Sequence, residues 1–312
     1  MTRTQSDAAA SAALVVLWSA GFIGAVLGTR AAPADTLLAW RFVIAAAILV
    51  PVAAARGARL RLSSLRRQAP LGLLSQFAYL GCTVTAVGLG VPAGTTALIA
   101  ALQPLVVAGL AGPVLGEHVT GRQRVGLLAG LGGVALVVGG DLHSDGVAWW
   151  AFLLPVAGMF AMAAGTVLTR RAGTHETPLE SLTIQTATTA VLFTLVALVD
   201  GGLAPPADPM FWGAVAWVVV LPTFGGFGLY LHVLRRQGAT RVSSLLYLTP
   251  PTTMIWAYLM FGQVPGLLAV PGIALAAAGV WLVLRTPRAR TVGAPSHDGR
   301  RERARRLLAR HP

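Results

Sequence analysis

The chain has 312 residues, of which 55% are hydrophobic and only 11% are charged, and its mean hydropathy is +0.70. Soluble globular proteins carry about 25% charged residues, so this composition excludes a water-soluble core with a polar covering. The net charge of +13 does not indicate a nucleic-acid partner, because all 24 basic residues are arginines that cluster between apolar runs.

Long apolar runs predict transmembrane helices. Residues 68–116 and 242–284 contain no charged residue, and about 20 consecutive apolar residues are enough to span a bilayer. Cutting the runs at Gly/Pro turns and charge clusters predicts ten spans. They cover residues 12–29, 36–55, 71–90, 93–115, 123–140, 147–168, 179–199, 210–234, 240–261 and 266–284. The first run is longer than the core of a signal peptide, so we interpret it as the first span.

The arginines predict the orientation of these spans. With ten spans and an inner N-terminus, 22 of the 24 arginines lie on the inner side, and only Arg30 and Arg41 lie near outer helix ends. This asymmetry follows the positive-inside rule. We therefore predict a multi-pass protein of the inner membrane with a cytoplasmic N-terminus (1–11) and a basic cytoplasmic tail (285–312). The tail either contacts anionic lipid or is solvated.

The second half of the chain repeats the first at a distance of 146 residues. The shift superposes Pro104 on Pro250, Gly126 on Gly272 and Gly133 on Gly279. Each predicted half, 12–140 and 147–284, has five helices, so the two halves enter the membrane in opposite senses as inverted repeats. Such repeats have two nearly equivalent packings open to opposite sides. This arrangement is typical of a carrier that works by alternating access.

Prolines interrupt the fourth and ninth predicted helices at corresponding positions. The fourth carries Gln103 and Pro104 in its middle, and the ninth carries Thr249, Pro250 and Pro251. A proline inside a helix costs about 3 kcal/mol. Matched interruptions near the bilayer midplane indicate a transport site. The alternative is that these prolines only kink helices for packing.

Three stretches resemble the EamA-type family of the drug/metabolite transporter superfamily. They are "LWSAGF" (17–22), "WRFVIAAAIL" (40–49) and "ALIAALQPLVVAGLAGPVLGEHVTGRQRVGLLAGLGGVALVV" (97–138). The resemblance covers residues 12–284. It implies an all-α membrane protein with ten helices in two inverted five-helix repeats, which exports small metabolites, amino acids among them. One departure is Gln263, because the family often has Glu here as well as at the equivalent position, Glu117.

The resemblance also implies a central cavity lined by helices one, three, four, six, eight and nine. Polar and aromatic residues at mid-depth are the candidate substrate-binding residues: Trp18, Ser19, Phe22, Gln76, Tyr79, Thr83, Thr96, Gln103, Pro104, Ser243, Tyr247, Thr249 and Pro250. The aromatic residues favour an amphipathic substrate with an apolar or aromatic part. As an alternative, the hydroxyls bond within or between helices and the rings pack in the core.

Helix eight and two charged residues have separate predictions. Pro222, Gly225 and Gly226 form the predicted hinge, with close packing of small residues as the alternative. Arg41 and Glu117 are predicted to be structural. Arg41 could instead extend to the outer surface or hold a carboxylate group.

The chemistry-bearing residues favour transport over catalysis. No Asp or Glu lies at mid-membrane depth in the predicted helices, so uncoupled exchange, electrochemically driven export and coupling through His232 or a bound cation stay open. The sequence has no phosphate-binding loop, metal-ligand cluster or catalytic triad, and its single Cys82 excludes an intramolecular disulfide. We predict a secondary transporter without a cofactor. The alternative is a lipid-translocating or regulatory membrane protein.

Overall fold

The structure is a computed structural model that describes residues 3–58, 61–107, 109, 121–141, 147–172, 176–237 and 245–284. Within these ranges the chain is helical and contains no β-strand. We label the helices in chain order as α1 (Arg3–Ala31), α2 (Ala34–Ala55), α3 (Leu62–Gly72, the π-helical Leu73–Ala78 and Tyr79–Gly88), α4 (Ala93–Ala101), α5 (Gly121–Asp141), α6 (the 3-10 turn Trp149–Phe152 and Leu153–Ala172), α7 (Pro178–Val199), α8 (Pro209–Val218, the π-helical Val219–Gly226 and Phe227–Gln237), α9 (Thr249–Phe261) and α10 (Ala269–Leu284).

Seven of the described helices are long and apolar enough to cross a membrane. They are Gln5–Ala31, Ala34–Ala55, Leu62–Gly88, Arg124–Asp141, Trp149–Thr169, Pro178–Val199 and Pro209–Tyr230. Two shorter apolar helices cover Ala93–Val107 and Ala269–Leu282. The chain is therefore a multi-pass helical membrane protein, while ten spans stay a prediction.

Two helices start earlier than their apolar runs do. The helix α1 begins at Arg3, whereas the sequence predicts a start at 12, and α3 begins at Leu62, whereas the sequence predicts 71. Hydropathy marks only the part of a helix that lies in hydrocarbon. The polar turns outside it remain helical because Arg, Leu and Gln are good helix formers.

The buried apolar residues form two large clusters, and each cluster takes helices from both halves of the chain. The first cluster joins α1, α2, α3, α4, α7, α8 and α9. The second joins α4, α5, α6, α9 and α10. Because α4 and α9 belong to both clusters and pack against each other, these two helices connect the clusters.

The helices α5 and α10 make the most extensive contact between two described helices. A Cβ atom on Gly133 would overlap the carbonyl oxygen of Gly272, and one on Gly279 would overlap that of Gly126. Glycine at these positions lets the two backbones touch, as small residues do in membrane helix pairs. The lower-numbered glycine of α5 faces the higher-numbered glycine of α10, so these two helices run antiparallel.

Candidate functional site

The helix α4 is interrupted immediately before Gln103 and Pro104. Its regular part ends at Ala101, and Leu102 has φ −78° and ψ −8°. The Leu102 N–H donates to the carbonyl of Ile99, three residues back, at 3.1 Å. Helix resumes over residues 103–107. The break follows from the proline, which has no N–H to donate and whose ring conflicts with the preceding turn.

A matching break precedes α9. Leu248 has φ −80° and ψ −9°, nearly the same values as Leu102. Its N–H donates to the carbonyl of Leu245, also three residues back, at 2.9 Å. Leu248 lies 146 positions after Leu102, and Pro250 follows it as Pro104 follows Leu102. The two interruptions therefore agree in sequence position, hydrogen bonding and backbone conformation.

Two π-helical segments are matched in the same way. The segment in α3 begins at Leu73 and the segment in α8 begins at Val219, 146 positions later. A π-helical turn is wider than an α-helical one and is frequent at functional sites. Sequence reasoning missed the segment in α3. The proline-bearing stretch of α8 suggests an irregular helix. The repeat distance of 146 residues could then have indicated a matching irregularity in α3.

The predicted hinge residues lie in the π-helical segment of α8. Pro222 stands within it, and the Thr223 hydroxyl donates to the carbonyl of Val218, five residues back, at 2.8 Å. A Cβ atom on Gly225 would lie 2.9 Å from the side chain of Leu17, so glycine permits close contact with α1. Gly226, the last residue of the segment, lies beside the Leu17 backbone. Close packing is therefore visible here, and movement at this segment stays a prediction.

Three of the hydroxyl groups next to the α9 break have no partner among the described residues. Ser19 is fully buried in α1, and its hydroxyl donates to the Val15 carbonyl at 2.8 Å and lies 3.4 Å from the Thr249 carbonyl. The hydroxyls of Tyr247, Thr249 and Thr253 are buried, and among the described residues none of them has a hydrogen-bond partner. Leaving a buried polar group unsatisfied costs about 1–3 kcal/mol. With respect to the described residues, these three hydroxyls therefore keep hydrogen-bonding capacity for a ligand or water.

The other polar candidates already bond within the protein. Gln103 donates to the Thr166 hydroxyl at 2.8 Å and so joins α4 to α6. Gln76 accepts from the Thr186 hydroxyl at 3.5 Å. Thr83 and Thr96 donate to carbonyls one turn back, those of Tyr79 and Pro92, at 2.6 and 3.0 Å respectively. Thr83 and Thr96 therefore fit the alternative in which these hydroxyls bond within their own helix and do not contact the substrate.

The four aromatic candidates are distributed over different parts of the core. The Trp18 ring lies 5.7 Å from that of Tyr230 in α8. Phe22 belongs to the first apolar cluster, and Tyr247 packs against the second. Tyr79 is half-buried in α3. No described ring contact joins any two of these candidates, so a shared aromatic wall stays a prediction.

Of the remaining candidates, two lie outside the described residues. The other two are the prolines that follow the helix breaks. Ser243 and Glu117 are outside the ranges given above. Pro104 is half-buried and Pro250 is buried.

Arg41 faces the interior of the bundle. Its side chain is 9% exposed, and Nη2 donates to the Thr223 hydroxyl in the π-helical segment of α8 at 3.2 Å. The guanidinium also lies 5.4 Å from the ring centre of Phe42. The alternative in which this arginine extends to the outer surface is therefore wrong. Arg41 lies on a side of α2 from which its side chain reaches α8.

A polar network that the sequence did not reveal joins α3 to the segment before α7. Glu176 accepts from Nε of Arg67 at 3.0 Å and from the Gln68 amide at 3.1 Å, and Gln185 donates to Gln68 at 2.8 Å. The Glu176 side chain is 3% exposed. The Arg67 guanidinium lowers the pKa of Glu176 to about 2. The only sequence signal was that Glu176 follows Arg170 and Arg171 closely along the chain.

A second polar cluster lies at the end of α5. The Thr95 hydroxyl donates to the buried Asp141 carboxylate, and Gln263 accepts from the Ala93 N–H at 3.3 Å. Gln263 therefore caps α4, a helix of the first half. The adjoining cavity, bounded in part by Thr95, Asp141 and Gln263, has a volume of about 20 Å³. It holds about one water molecule and is too small for a metabolite.

Comparison with known proteins identifies the family. The EamA-like transporter family model matches residues 8–139 and again residues 148–285. This chain belongs to the EamA-like transporter family. The EamA-like protein is therefore a multi-pass membrane transporter and not an enzyme.

Two similar proteins are named as probable exporters. The EamA-like protein is 31% identical over 206 residues to the "Probable terminal-alkyne amino-acid exporter" of Streptantibioticus cattleyicolor, an alignment that covers 65% of this chain and 66% of that one. It is 25% identical over 278 residues to the "Probable amino-acid metabolite efflux pump" of Escherichia coli, covering 83% and 88%. A crystal structure of a protein 22% identical to it has the same fold, with a TM-score of 0.62 over 89% of this chain and 97% of that one.

Proposed function

We propose that this EamA-like protein exports a small amphipathic metabolite of the amino-acid class by alternating access. Family membership makes it a transporter, and the named relatives are amino-acid or amino-acid metabolite exporters. The observation that carries the proposal is the pair of matched breaks at Leu102 and Leu248, with unpartnered hydroxyls beside the second. Interrupted helices at corresponding positions are typical of transport sites.

The architecture we propose has ten spans in two inverted repeats, 12–140 and 147–284, with both termini in the cytoplasm. The glycine contacts between α5 and α10 support it. Gly126 faces Gly279, and Gly133 faces Gly272. Gly272 and Gly279 are also the repeat equivalents of Gly126 and Gly133, so exchanging the halves maps the contact set onto itself. A twofold relationship produces such a reciprocal set of contacts.

The substrate site that we propose lies between the two breaks. The polar part of the metabolite would bond to the free hydroxyls of Tyr247, Thr249 and Thr253 and to the Gln103 amide. The buried aromatic and aliphatic residues around them would accept its apolar part. Irregular backbone inside a membrane protein is tolerated where it lines a cavity or is buried in protein, which fits a site at the breaks.

The conformational change that we propose bends α3 and α8 at their π-helical segments. Each break and each π-helical segment has its counterpart 146 residues away, so the halves can exchange conformations. In one state the first half would be open at the site. In the other state the second half would be open there. Pro222, Gly225 and Gly226 would serve as the hinge in α8.

Transport by purified protein in liposomes tests this function. Efflux of radiolabelled apolar L-amino acids is measured for the wild type, Gln103→Ala and Tyr247→Ala. We expect both variants to abolish transport while expression stays normal. Tyr258→Ala is the matched control, because Tyr258 is 55% exposed and lies away from the break.

Two outcomes would contradict the proposal. Unchanged transport in both Gln103→Ala and Tyr247→Ala would remove the site. The same liposomes can carry fluorescent phospholipid, so that its movement between leaflets is measured in parallel. Lipid movement without amino-acid efflux would favour the lipid-translocating alternative.

A further inference from the structure

Arg41 is a buried cation with no anionic partner among the described residues. The residue is 91% buried, since its exposed fraction is 9%. Among the described residues, Nη2 has one neutral partner, the Thr223 hydroxyl, and Nε is buried without a hydrogen-bond partner. The ion pairs in the described part of the chain are Arg67 with Glu176 and Arg236 with Asp7, and neither includes Arg41.

A buried guanidinium without an anionic partner is unfavourable unless a ligand supplies the missing negative charge and hydrogen-bond acceptors. Ionisable groups inside a membrane protein pair with one another or mark a substrate pathway. A guanidinium is always protonated in proteins, so Arg41 cannot relieve its burial by losing a proton. One hydroxyl contact leaves most of its five N–H donors unused. An anion that arrives with the substrate would satisfy them.

Arg41 is connected by contacts to the proposed substrate site. It reaches Thr223 in α8, and the neighbouring Pro222 lies against Gly21 of α1, 3.5 Å from where a Cβ atom would stand. Two residues before Gly21, Ser19 contacts the Thr249 carbonyl at the α9 break. A short chain of contacts through α8 and α1 therefore leads from the guanidinium to the free hydroxyls.

Tyr79 belongs to α3, which packs against α2, the helix that carries Arg41. Its phenol is a hydrogen-bond donor as well as an acceptor. A ligand held by Arg41 would therefore be bounded by α2, α3 and α8. These helices come from both halves of the chain, as expected for a site between repeats.

We infer that Arg41 binds the carboxylate of the transported metabolite, which makes the substrate class a carboxylic acid with an apolar side chain. Guanidinium and carboxylate form strong, charge-assisted hydrogen bonds. Nε of Arg41, which has no partner among the described residues, supplies one donor. The hydroxyls at the α9 break would then bind the other polar groups of the same molecule. This inference rests on the proposed transport function.

Calorimetric titration of the purified full-length protein tests the inference. The probes are leucine, methionine and phenylalanine, together with their C-terminal amides, which have the same shape without the negative charge. We expect the wild type to bind at least one acid about tenfold or more tighter than its amide. Arg41→Gln should lose that preference, and Arg41→Lys should keep part of it. Arg30→Gln, which removes an exposed arginine at the end of α1, should bind like the wild type.

The outcomes separate the two proposals. Equal affinity of the wild type for acid and amide, or an unchanged preference in Arg41→Gln, overturns the carboxylate site and leaves the transport function standing. No binding of any acid or amide, together with no efflux in liposomes, overturns the transport function and the carboxylate site with it. The wild-type ratio of acid to amide affinity decides the question by itself if Arg41→Gln does not fold.

Discussion

The Ser19 hydroxyl lies 3.4 Å from the carbonyl oxygen of Thr249 and so joins α1 to the interrupted start of α9. The same hydroxyl donates to Val15 at 2.8 Å. We expect Ser19→Ala to reduce transport severalfold, because the contact between the halves at the break is lost. The free energy of unfolding should fall by only about 1 kcal/mol, the net value of one hydrogen bond. Efflux and thermal unfolding measured on one preparation check both expectations.

Thr169→Val is the control for this variant. The hydroxyl of Thr169 donates to the Gly165 carbonyl at 2.8 Å, a local contact one turn back. Removing it should leave transport unchanged. Equal loss of transport in Thr169→Val and Ser19→Ala would contradict a special role for the Ser19 contact.

Replacing the prolines at the breaks should separate stability from transport. In Pro104→Ala, and in the double variant Pro250→Ala/Pro251→Ala, each new N–H can donate to a carbonyl in the preceding turn, which favours a continuous helix. We expect the melting temperature to stay the same or rise, while transport falls about tenfold or more, in keeping with the usual trade-off between stability and activity. Thermal unfolding and efflux assays measure the two effects. Full transport in both variants would show that the breaks only serve packing.

Removing the Tyr247 hydroxyl should not destabilise the protein. This hydroxyl is buried without a described partner, so Tyr247→Phe removes an unsatisfied group and should leave the free energy of unfolding unchanged or raised by up to about 1–3 kcal/mol. Transport should fall, because the substrate loses a hydrogen bond. Tyr258→Phe, at an exposed position, should change neither property. A clear loss of stability in Tyr247→Phe would mean that the hydroxyl has a structural partner.

Matched glycines of α5 and α10 should respond alike to substitution. Gly133→Ala and Gly279→Ala each place a methyl group against a backbone carbonyl of the facing helix. Overpacking of this kind typically costs about 1–3 kcal/mol, and similar values are expected for both variants. Gly132→Ala is the control, because a Cβ atom there would lie 3.5 Å from the Leu275 side chain, an ordinary van der Waals distance. Chemical unfolding in detergent measures the differences, and dissimilar values for the pair would argue against the twofold relationship.

Acid should weaken the network around Glu176. Its pKa is about 2 in the folded protein against an ordinary value of 4.5, because Arg67 favours the charged form. Because folding lowers the pKa of Glu176, its charged side chain contributes fully to the stability of the folded protein above about pH 4.5. This contribution is lost as the pH falls toward about 2. The difference in melting temperature between the wild type and Glu176→Gln should therefore shrink over this window. In Arg67→Gln the loss should be smaller and should be complete at a higher pH, since the main cause of the lowered pKa is gone.

Much of the fold could be predicted because it depends on local chemistry. The apolar runs predict the membrane spans, since hydropathy is a property of each segment alone. The breaks at Leu102 and Leu248 could be predicted as well, because a proline two residues later disrupts the helix in any surroundings. The polar starts of α1 and α3 were missed because hydropathy does not register helix outside the membrane.

The candidate site was predictable only in part. Sequence reasoning chose Ser19, Gln103 and Thr249, and the structure gives each of them a contact between helices. It assigned Arg41 a structural role, with the outer surface or a carboxylate group of substrate or protein as alternatives, because the sequence does not specify which neighbour a side chain meets. The Glu176 network was missed for the same reason, since its partners lie more than 100 positions apart along the chain.

The sequence by itself determined that this protein is a membrane transporter with an internal repeat and two proline-broken helices, because composition, periodicity and proline chemistry act over short stretches. Only the tertiary structure decided which buried polar groups have partners and which do not. Tyr247, Thr249 and Arg41 look like many other polar residues in the sequence. Their free hydrogen-bonding groups arise from the packing of helices from both halves, where distant residues either meet a partner or leave a group free for a ligand.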